Sequence, residues 1–287
     1  MLKKKSFKGE IYLIITAIMW SSGGLLIKLL PDLNGFVING LRSVVALLVL
    51  FIIGGRFPKF NKTIICAGVA HGLCATFFVV ANKYTTSANA IVMQNTAPII
   101  LLIITAISTR KMPKMAEILI LLSAFVGIIL IFFDQIGGGN LIGNILGILA
   151  GVSFATMFYF NGKKDADAHS SSMLGFFLSF IIGIPFYFSI ETFGMSEILP
   201  LLGLGIFQLG IPYLFFSIGV KLTTPTTASI IALIEAILNP VWVFVFVGEA
   251  PGVFGIIGFF IVIVAVVVKI LYDRKSVEKI EISQENI

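Results

Sequence analysis

The sequence predicts an all-α membrane protein of ten transmembrane helices, arranged as two inverted repeats of five. Three observations predict it. Apolar runs of about 20 residues recur along the whole chain, and that length suits a helix crossing a hydrocarbon core of about 30 Å. Lys and Arg fall almost wholly on one side of the alternating loops. Two stretches, NKYTTSANAIV (82–92) and VKLTTPTTASI (220–230), repeat one another at an offset of 138 residues.

Composition excludes a soluble domain. Hydrophobic residues make up 58% of the chain and charged residues 12%, against about 25% charged in soluble domains. Mean hydropathy is +1.06. Cys66 and Cys74 lie eight residues apart in one apolar run. On a helix that is about 12 Å, too far for a disulfide. His71 and His169 are the two histidines, and no Cys/His cluster suggests structural zinc. The expectation is a protein with no metal and no cofactor.

The spans follow in order. Span one, 10–30, comes after the basic MLKKKSFKGE; it is longer than a signal-peptide core and has no small-x-small site, so it should remain uncleaved. Span two, 33–53, starts after the turn LPDLNG and ends at GGRFPKFNK. Span three, 62–82, stops at the first Thr-Thr pair. Span four, 87–108, ends at STRKMPK. Span five, 114–133, runs to DQIGGGN. Span six, 141–161, precedes GKKDADAHSSS. Span seven is 172–191, and span eight, 197–220, stops at TTPTT. Span nine, 226–247, ends at GEAPG, and span ten is 251–272. Turn and helix-breaking residues fill each gap. The expected organisation is a first repeat over 1–136, a second over 137–272 and a polar cytoplasmic tail over 273–287.

Orientation follows from the charges. With the N-terminus inside, 17 of the 20 Lys and Arg fall on cytoplasmic segments; Lys28 and Lys83 are external and Arg42 lies within span two. This positive-inside pattern predicts a multi-pass cell-membrane protein with both termini cytoplasmic. The net charge of +6 is the basic face of such a protein and calls for no nucleic acid.

The repeat reaches beyond the two quoted stretches. Phe77 and Phe78 correspond to Phe215 and Phe216, and Pro113 to Pro251. With an offset of 134, Gly9 corresponds to Gly143 and Trp20 to Phe154. Five spans is an odd number, so the second copy enters the membrane from the other side. Inverted repeats of this kind occur in many secondary transporters, with the substrate site at the midplane between them.

AIMWSSGGLLIK (17–28), TSANAIVMQNTAPII (86–100) and TTASIIALIEAILNPVWVFVFVGEAP (226–251) carry a resemblance over nearly the whole chain. The chain resembles the drug/metabolite transporter superfamily, and within it the EamA type. The resemblance implies transport of a small organic metabolite such as an amino acid or amine, with spans one, three, four, six, eight and nine around a central cavity. One departure bears on span nine. Family members often read Leu-Glu-Pro where this chain has Glu235 followed by Ala236, with the proline a turn later at Pro240.

Several polar residues lie at membrane depth. Glu235, about nine residues into span nine, is a candidate proton carrier, an anchor for a cationic solute, or a hydrogen-bonded structural acid. Asn239 and Trp242, at i+4 and i+7, share its helical face. His71, midway along span three with Phe78 on its face, is a second proton-coupling candidate or a histidine bonded to a backbone carbonyl. Gln94 and Asn95 precede Pro98 in span four, where a proline frees a carbonyl. Gln208 and Tyr213 flank Pro212 in span eight. Trp20 lies near the middle of span one beside Ser21, Ser22, Gly23 and Gly24, where it suits solute stacking or close helix packing. Phe154 and Tyr159 complete the expected lining from span six. Arg42 has three readings: snorkelling, pairing with an acid, or meeting a substrate carboxylate. Spans five and ten carry almost no polar residues at depth and read as support or dimer helices.

The leading expectation is a secondary transporter driven by a solute or proton gradient, whose partners are its small-molecule substrate and the lipid bilayer, with a homodimer left open. GGGN at 137–140 lacks the Lys-Ser/Thr of a nucleotide-binding loop. A channel or scaffold is the alternative. An intramembrane enzyme is disfavoured, since one acid and one histidine from different spans make no catalytic set.

Overall fold

The computed structural model describes residues 7–133, 136, 140–190, 193–247 and 252–285, without the side chains of Lys28, Val243, Val247 and 276–285. Lys3, Lys4, Lys5, Pro251 and most of the 134–140 loop lie outside the described residues, as do the side chains of Lys28 and Lys279.

All ten predicted spans are helical, and three are interrupted. Span one is α1 (Phe7–Trp20) and α2 (Gly23–Lys28). Spans two and three are α3 (Gly35–Gly54) and α4 (Lys62–Tyr84). Span four is α5 (Ser87–Gln94) and α6 (Ala97–Thr109), and span five is α7 (Met115–Ile131). Spans six and seven are α8 (Leu141–Asn161) and α9 (Ala168–Tyr187). Span eight is α10 (Met195–Gly203), a π-helical stretch over Leu204–Gly210, and α11 (Ile211–Leu222). Span nine is α12 (Pro225–Ala232) and α13 (Ile234–Val247), and span ten is α14 (Val253–Glu285). Among the described residues nine helices are long and apolar enough to cross a membrane, with Met115–Ile131 a shorter apolar tenth. The sequence ends span ten at 272, whereas α14 stays helical to Glu285.

The repeat is visible in the backbone. Moving α5 by 138 residues gives α12 end for end, and the last residue of α4 lands on the last residue of α11. The duplicated Thr-Thr pair explains this. Thr85 and Thr223 are extended and stop the preceding helix. Thr86 accepts from the Asn89 amide and Thr224 from the Thr227 amide, so each caps the next helix. A capping hydroxyl satisfies an amide that the first helical turn leaves without a partner. The two pairs have different surroundings: Thr85 donates to Asn144 Oδ1 at 2.8 Å, whereas Thr224 donates to Asp273 Oδ2 at 3.2 Å.

Packing obeys the same exchange. α4 lies on α8 and α1 on α11, which are spans three with six and eight with one. α3 packs on α9 and α7 on α14, pairs that exchange into themselves. At the α7–α14 crossing the backbones nearly touch. A Cβ on Gly127 would sit 3.1 Å from the Gly258 carbonyl oxygen, and one on Gly258 would run into the Gly127 carbonyl. In lipid, where helices gain little hydrophobic drive to associate, such close approach supplies the contact energy. The outer faces of this pair, including Leu119, Leu122, Phe260 and Val264, stay exposed to the bilayer.

Ion pairs join the loops that the sequence assigns to the basic side. Arg56, after α3, donates to both carboxylate oxygens of Asp167 at 2.6 and 2.8 Å. Asp167 also caps α9, accepting from the amides of His169 and Ser170. Lys269, 1% exposed, lies 3.0 Å from both Glu117 and Asp273. Arg274 pairs with Glu10 at 2.5 Å. Burial pushes the Asp167 carboxyl up, but the Arg56 fork, the Ser170 amide and the Lys221 charge outweigh it and bring it down to about 2.

Asp167→Ala should cost about 1–2 kcal/mol in thermal unfolding at pH 7, because it loses the cap and the ion pair together. Asp167→Asn, which keeps the cap, should cost less. The wild-type advantage over Asp167→Asn is whole above the ordinary carboxylate value of 3.8 and should fade as pH falls toward 2. Equal stability of all three proteins at pH 7 would remove this contact from the account.

Candidate functional site

The helix interruptions gather around one point. A broken helix frees backbone groups, each costing several kcal/mol if left dry in lipid. Side chains at the breaks satisfy them. Ser21 and Ser22 hydroxyls donate to the Ile18 and Met19 carbonyls at 2.5 and 2.8 Å. Asn95 Nδ2 donates to the Ile91 carbonyl at 2.8 Å, and Thr96 to Met93 at 2.7 Å. In span eight, Pro212 has no N–H for the Gln208 carbonyl one turn back. The widened i→i+5 register over Leu204–Gly210 absorbs this, and the Ile211 amide bonds the Ile206 carbonyl. The proline that family members often carry after the glutamate stands a turn later here, at Pro240; it lies inside α13, and the interruption of span nine falls at Leu233. Leu233 is 138 residues beyond Asn95, so the two breaks correspond under the repeat.

A cavity of about 40 Å³ lies between these breaks, with room for a few water molecules. Trp20, His71, Phe78, Gln94, Phe154, Gln208, Tyr213 and Glu235 line it, together with Arg42, Cys74, Ala75 and Leu209. Three pairs among these are repeat equivalents: Trp20 with Phe154, His71 with Leu209, and Ala75 with Tyr213. The cavity therefore sits where the two repeats meet.

Aromatic rings form its walls. Trp20 packs on Tyr213, Phe216 and Phe154 with centroids 5.1, 5.6 and 6.0 Å away. Its indole N–H is buried without a hydrogen-bond partner. His71 stacks on Tyr213 at 4.5 Å and meets Phe176 edge-on at 4.7 Å. Neither His71 nitrogen has a hydrogen bond of regular geometry; a weak approach from the Ser172 backbone is its polar neighbour. Gly175 leaves space for the His71 ring, which a Cβ there would strike.

Arg42 is the polar centre. It is 2% exposed. Its Nε and Nη2 donate to Asn39 Oδ1 at 3.3 and 3.1 Å, and Nη1 donates to Gln208 Oε1 at 3.1 Å. Asn39 is fixed in turn, donating to Thr76 Oγ1 at 3.0 Å. The sequence identified Arg42 as a lone basic residue within a span but left its facing open. Glu235 is half-buried on the cavity wall and, among the described residues, makes no ion pair. Arg42 and Glu235 line the same cavity.

Four of the residues singled out by sequence lie away from the cavity wall. Asn95, at the break in span four, turns back along its own helix and donates to the Ile91 carbonyl. Asn239 packs where α2 begins, with its Nδ2 2.7 Å from where a Gly24 Cβ would stand. Trp242 Nε1 donates to Ser21 Oγ at 2.7 Å. Asn239 and Trp242 thus tie α13 to the break in span one. Tyr159 hydrogen-bonds Ser108 and carries Lys163 Nζ 4.9 Å from its ring centre, at the basic end of α8.

The EamA-like transporter family matches the chain twice, over residues 7–133 and 141–271. The chain belongs to the EamA-like transporter family. The two matches meet at the 134–140 loop, between span five and span six. A Clostridium kluyveri protein named "uncharacterized transporter" is 22% identical over 299 residues, covering 94% of this chain and 95% of its own. A protein of known crystal structure is 15% identical, with a TM-score of 0.77 over 94% of this chain and 99% of its own. That likeness shows a shared fold. The EamA-like assignment accords with ten apolar helices, and it makes the chain a multi-pass membrane protein of transporter type.

Gly175→Ala should destabilise the folded chain by about 1–3 kcal/mol, the usual cost of overpacking. Combined with His71→Ala, which opens the space, it should cost less than the sum of the single changes in unfolding measured in detergent. Strict additivity would mean that the two positions do not press on each other.

Proposed function

We propose that the chain is a secondary active transporter that moves a small organic solute across the cell membrane by alternating access, with the two halves, 1–136 and 137–272, rocking about the central cavity. The observation that carries this reading is the cavity itself. It lies at the junction of the two repeats, its walls come from interrupted helices of both, and it presents an arginine and a glutamate that do not touch. Ionisable groups at membrane depth cost about 2.5–3.5 kcal/mol on insertion scales, so their placement around a shared cavity favours a role in passage. Substrate binding is assigned to the lining residues, with Trp20, Phe154 and Tyr213 stacking and Gln94 and Gln208 hydrogen-bonding. Asn239 and Trp242 close the cavity against α2, and Asn95 and Tyr159 bear on it through the bends and ends of spans four and six. Glu235 couples transport to protons or meets a cationic group of the solute; His71, pressed between rings, is the weaker proton partner.

Uptake into proteoliposomes tests this. Glu235→Gln keeps size and hydrogen bonding but cannot ionise. As a proton carrier, Glu235 predicts transport that varies with pH in the wild type and loses that variation in Glu235→Gln. As a cation anchor, it predicts at least a tenfold loss at every pH. Wild-type transport by Glu235→Gln rejects both roles.

The basic-side loops are assigned to the cytoplasm, and both termini with them. A cysteine-reactive reporter after Ile287 should be shielded from impermeant reagent in intact cells, whereas one in the 134–140 loop should be labelled. The opposite pattern reverses the orientation.

A further inference from the structure

Arg42 has more donors than the protein uses. A guanidinium carries five N–H groups. Asn39 Oδ1 takes two and Gln208 Oε1 takes one, which leaves one N–H on each Nη unclaimed among the described residues. Both acceptors are neutral amides, so they orient the guanidinium without cancelling its charge. The residue is almost wholly buried yet forms part of the cavity wall. A charge at this depth is costly unless something answers it. Glu235 shares the cavity but makes no ion pair with it. Close by, the Trp20 indole N–H also lacks a partner. Three N–H groups without an acceptor among the described residues thus belong to side chains that line the space.

Resting on the transporter reading above, we infer that Arg42 is the anion-binding point of the cavity and that the solute carried bears a carboxylate, received by the two free guanidinium N–H groups. A planar carboxylate matches the fork with two parallel bonds. A phosphate matches it less well. It brings a charge of about −1.5 to −2 into a space that offers one arginine and is faced by the Glu235 carboxylate. Asn39 and Gln208 act as positioning residues. Gln208 comes from span eight and Arg42 from span two, so the contact at 3.1 Å joins the two repeats at the binding point. Gln208 also sits in the π-helical stretch, a distortion that recurs at functional sites.

The test uses the purified full chain and a panel of acids from acetate to benzoate and phenylalanine, each paired with its primary amide. Melting temperature and isothermal titration report binding, since a ligand that favours the folded state raises its stability. At least one acid should raise the melting temperature while its amide does not. Arg42→Lys, which keeps the charge but not the fork, should weaken that acid at least tenfold. Because loss of a buried cation can itself unfold the chain, Gln208→Ala serves as a second variant; it should weaken the same acid severalfold. The inference is overturned if no acid shifts the melting temperature, if acids and amides act alike, or if Arg42→Lys binds the acid as the wild type does. If phenethylamine or an amide is bound and carried into proteoliposomes while no acid is, the carboxylate site falls and the transporter reading stands. If an acid binds through Arg42 and is not carried, the site stands and the transporter reading falls.

Discussion

The whole arrangement depends on where a helix can be broken inside a membrane. Lipid offers no hydrogen bonds, so an interrupted backbone survives only where protein or a polar cavity answers it. Three spans are interrupted here, near Ser21, near Asn95 and at Leu233, and a fourth widens to π-helix before Pro212. All four lie around one cavity. The breaks in spans one and four are closed by short polar side chains. These residues therefore do two things: they satisfy the backbone, and they let side chains such as Trp20, Gln94 and Glu235 turn toward a common space.

Much of this was legible in the sequence because it is written in quantities that need no tertiary context. Span length follows from bilayer thickness, and all ten spans are helical. The Thr-Thr pairs were visible as a repeat, and their structural meaning is a stop followed by a cap at each copy. Eight of the twelve residues singled out in the sequence line the cavity. The facing of Arg42 was not legible. Its rotation about the α3 axis depends on packing against α9 and the π-helical stretch, and no local pattern encodes that. The site of the break in span nine was also hidden. Proline is a strong local signal, yet Pro240 is accommodated within α13 and the interruption falls at Leu233, the repeat equivalent of Asn95.

Support and chemistry are divided among the helices. α7 and α14 meet through Gly127 and Gly258 and keep their outer faces apolar. Among the described residues neither helix lines the cavity. At their basic end, Lys269 joins Glu117 of α7 to Asp273 of α14, and Asp273 in turn accepts from the threonines that begin α12. The start of the interrupted span nine is thus moored to the supporting pair. In the first repeat Thr86, the match of Thr224, caps α5, and its neighbour Thr85 bonds Asn144 at the start of α8. The two moorings sit at neighbouring rather than equivalent positions: one meets a carboxylate paired with Lys269, the other a neutral side-chain amide.

That difference extends into the cavity. The scaffold follows the repeat closely, but the chemistry does not. Under the 138-residue offset Glu235 corresponds to Ala97, Gln208 to Ala70, Gln94 to Ala232 and Tyr213 to Ala75. Each of these four groups corresponds to an alanine, whereas His71 corresponds to Leu209 and Arg42 to Phe180. A fully symmetric cavity would carry every charge twice, and like charges a few ångströms apart in low dielectric repel strongly. One copy of each avoids that repulsion, and the alanines leave room in so small a space. Under the proposed alternating access, the inverted scaffold supplies two arrangements of related packing, while a single arginine and a single glutamate at the junction face whichever side is open. Symmetry in the helices and asymmetry in the side chains are thus two requirements of one site.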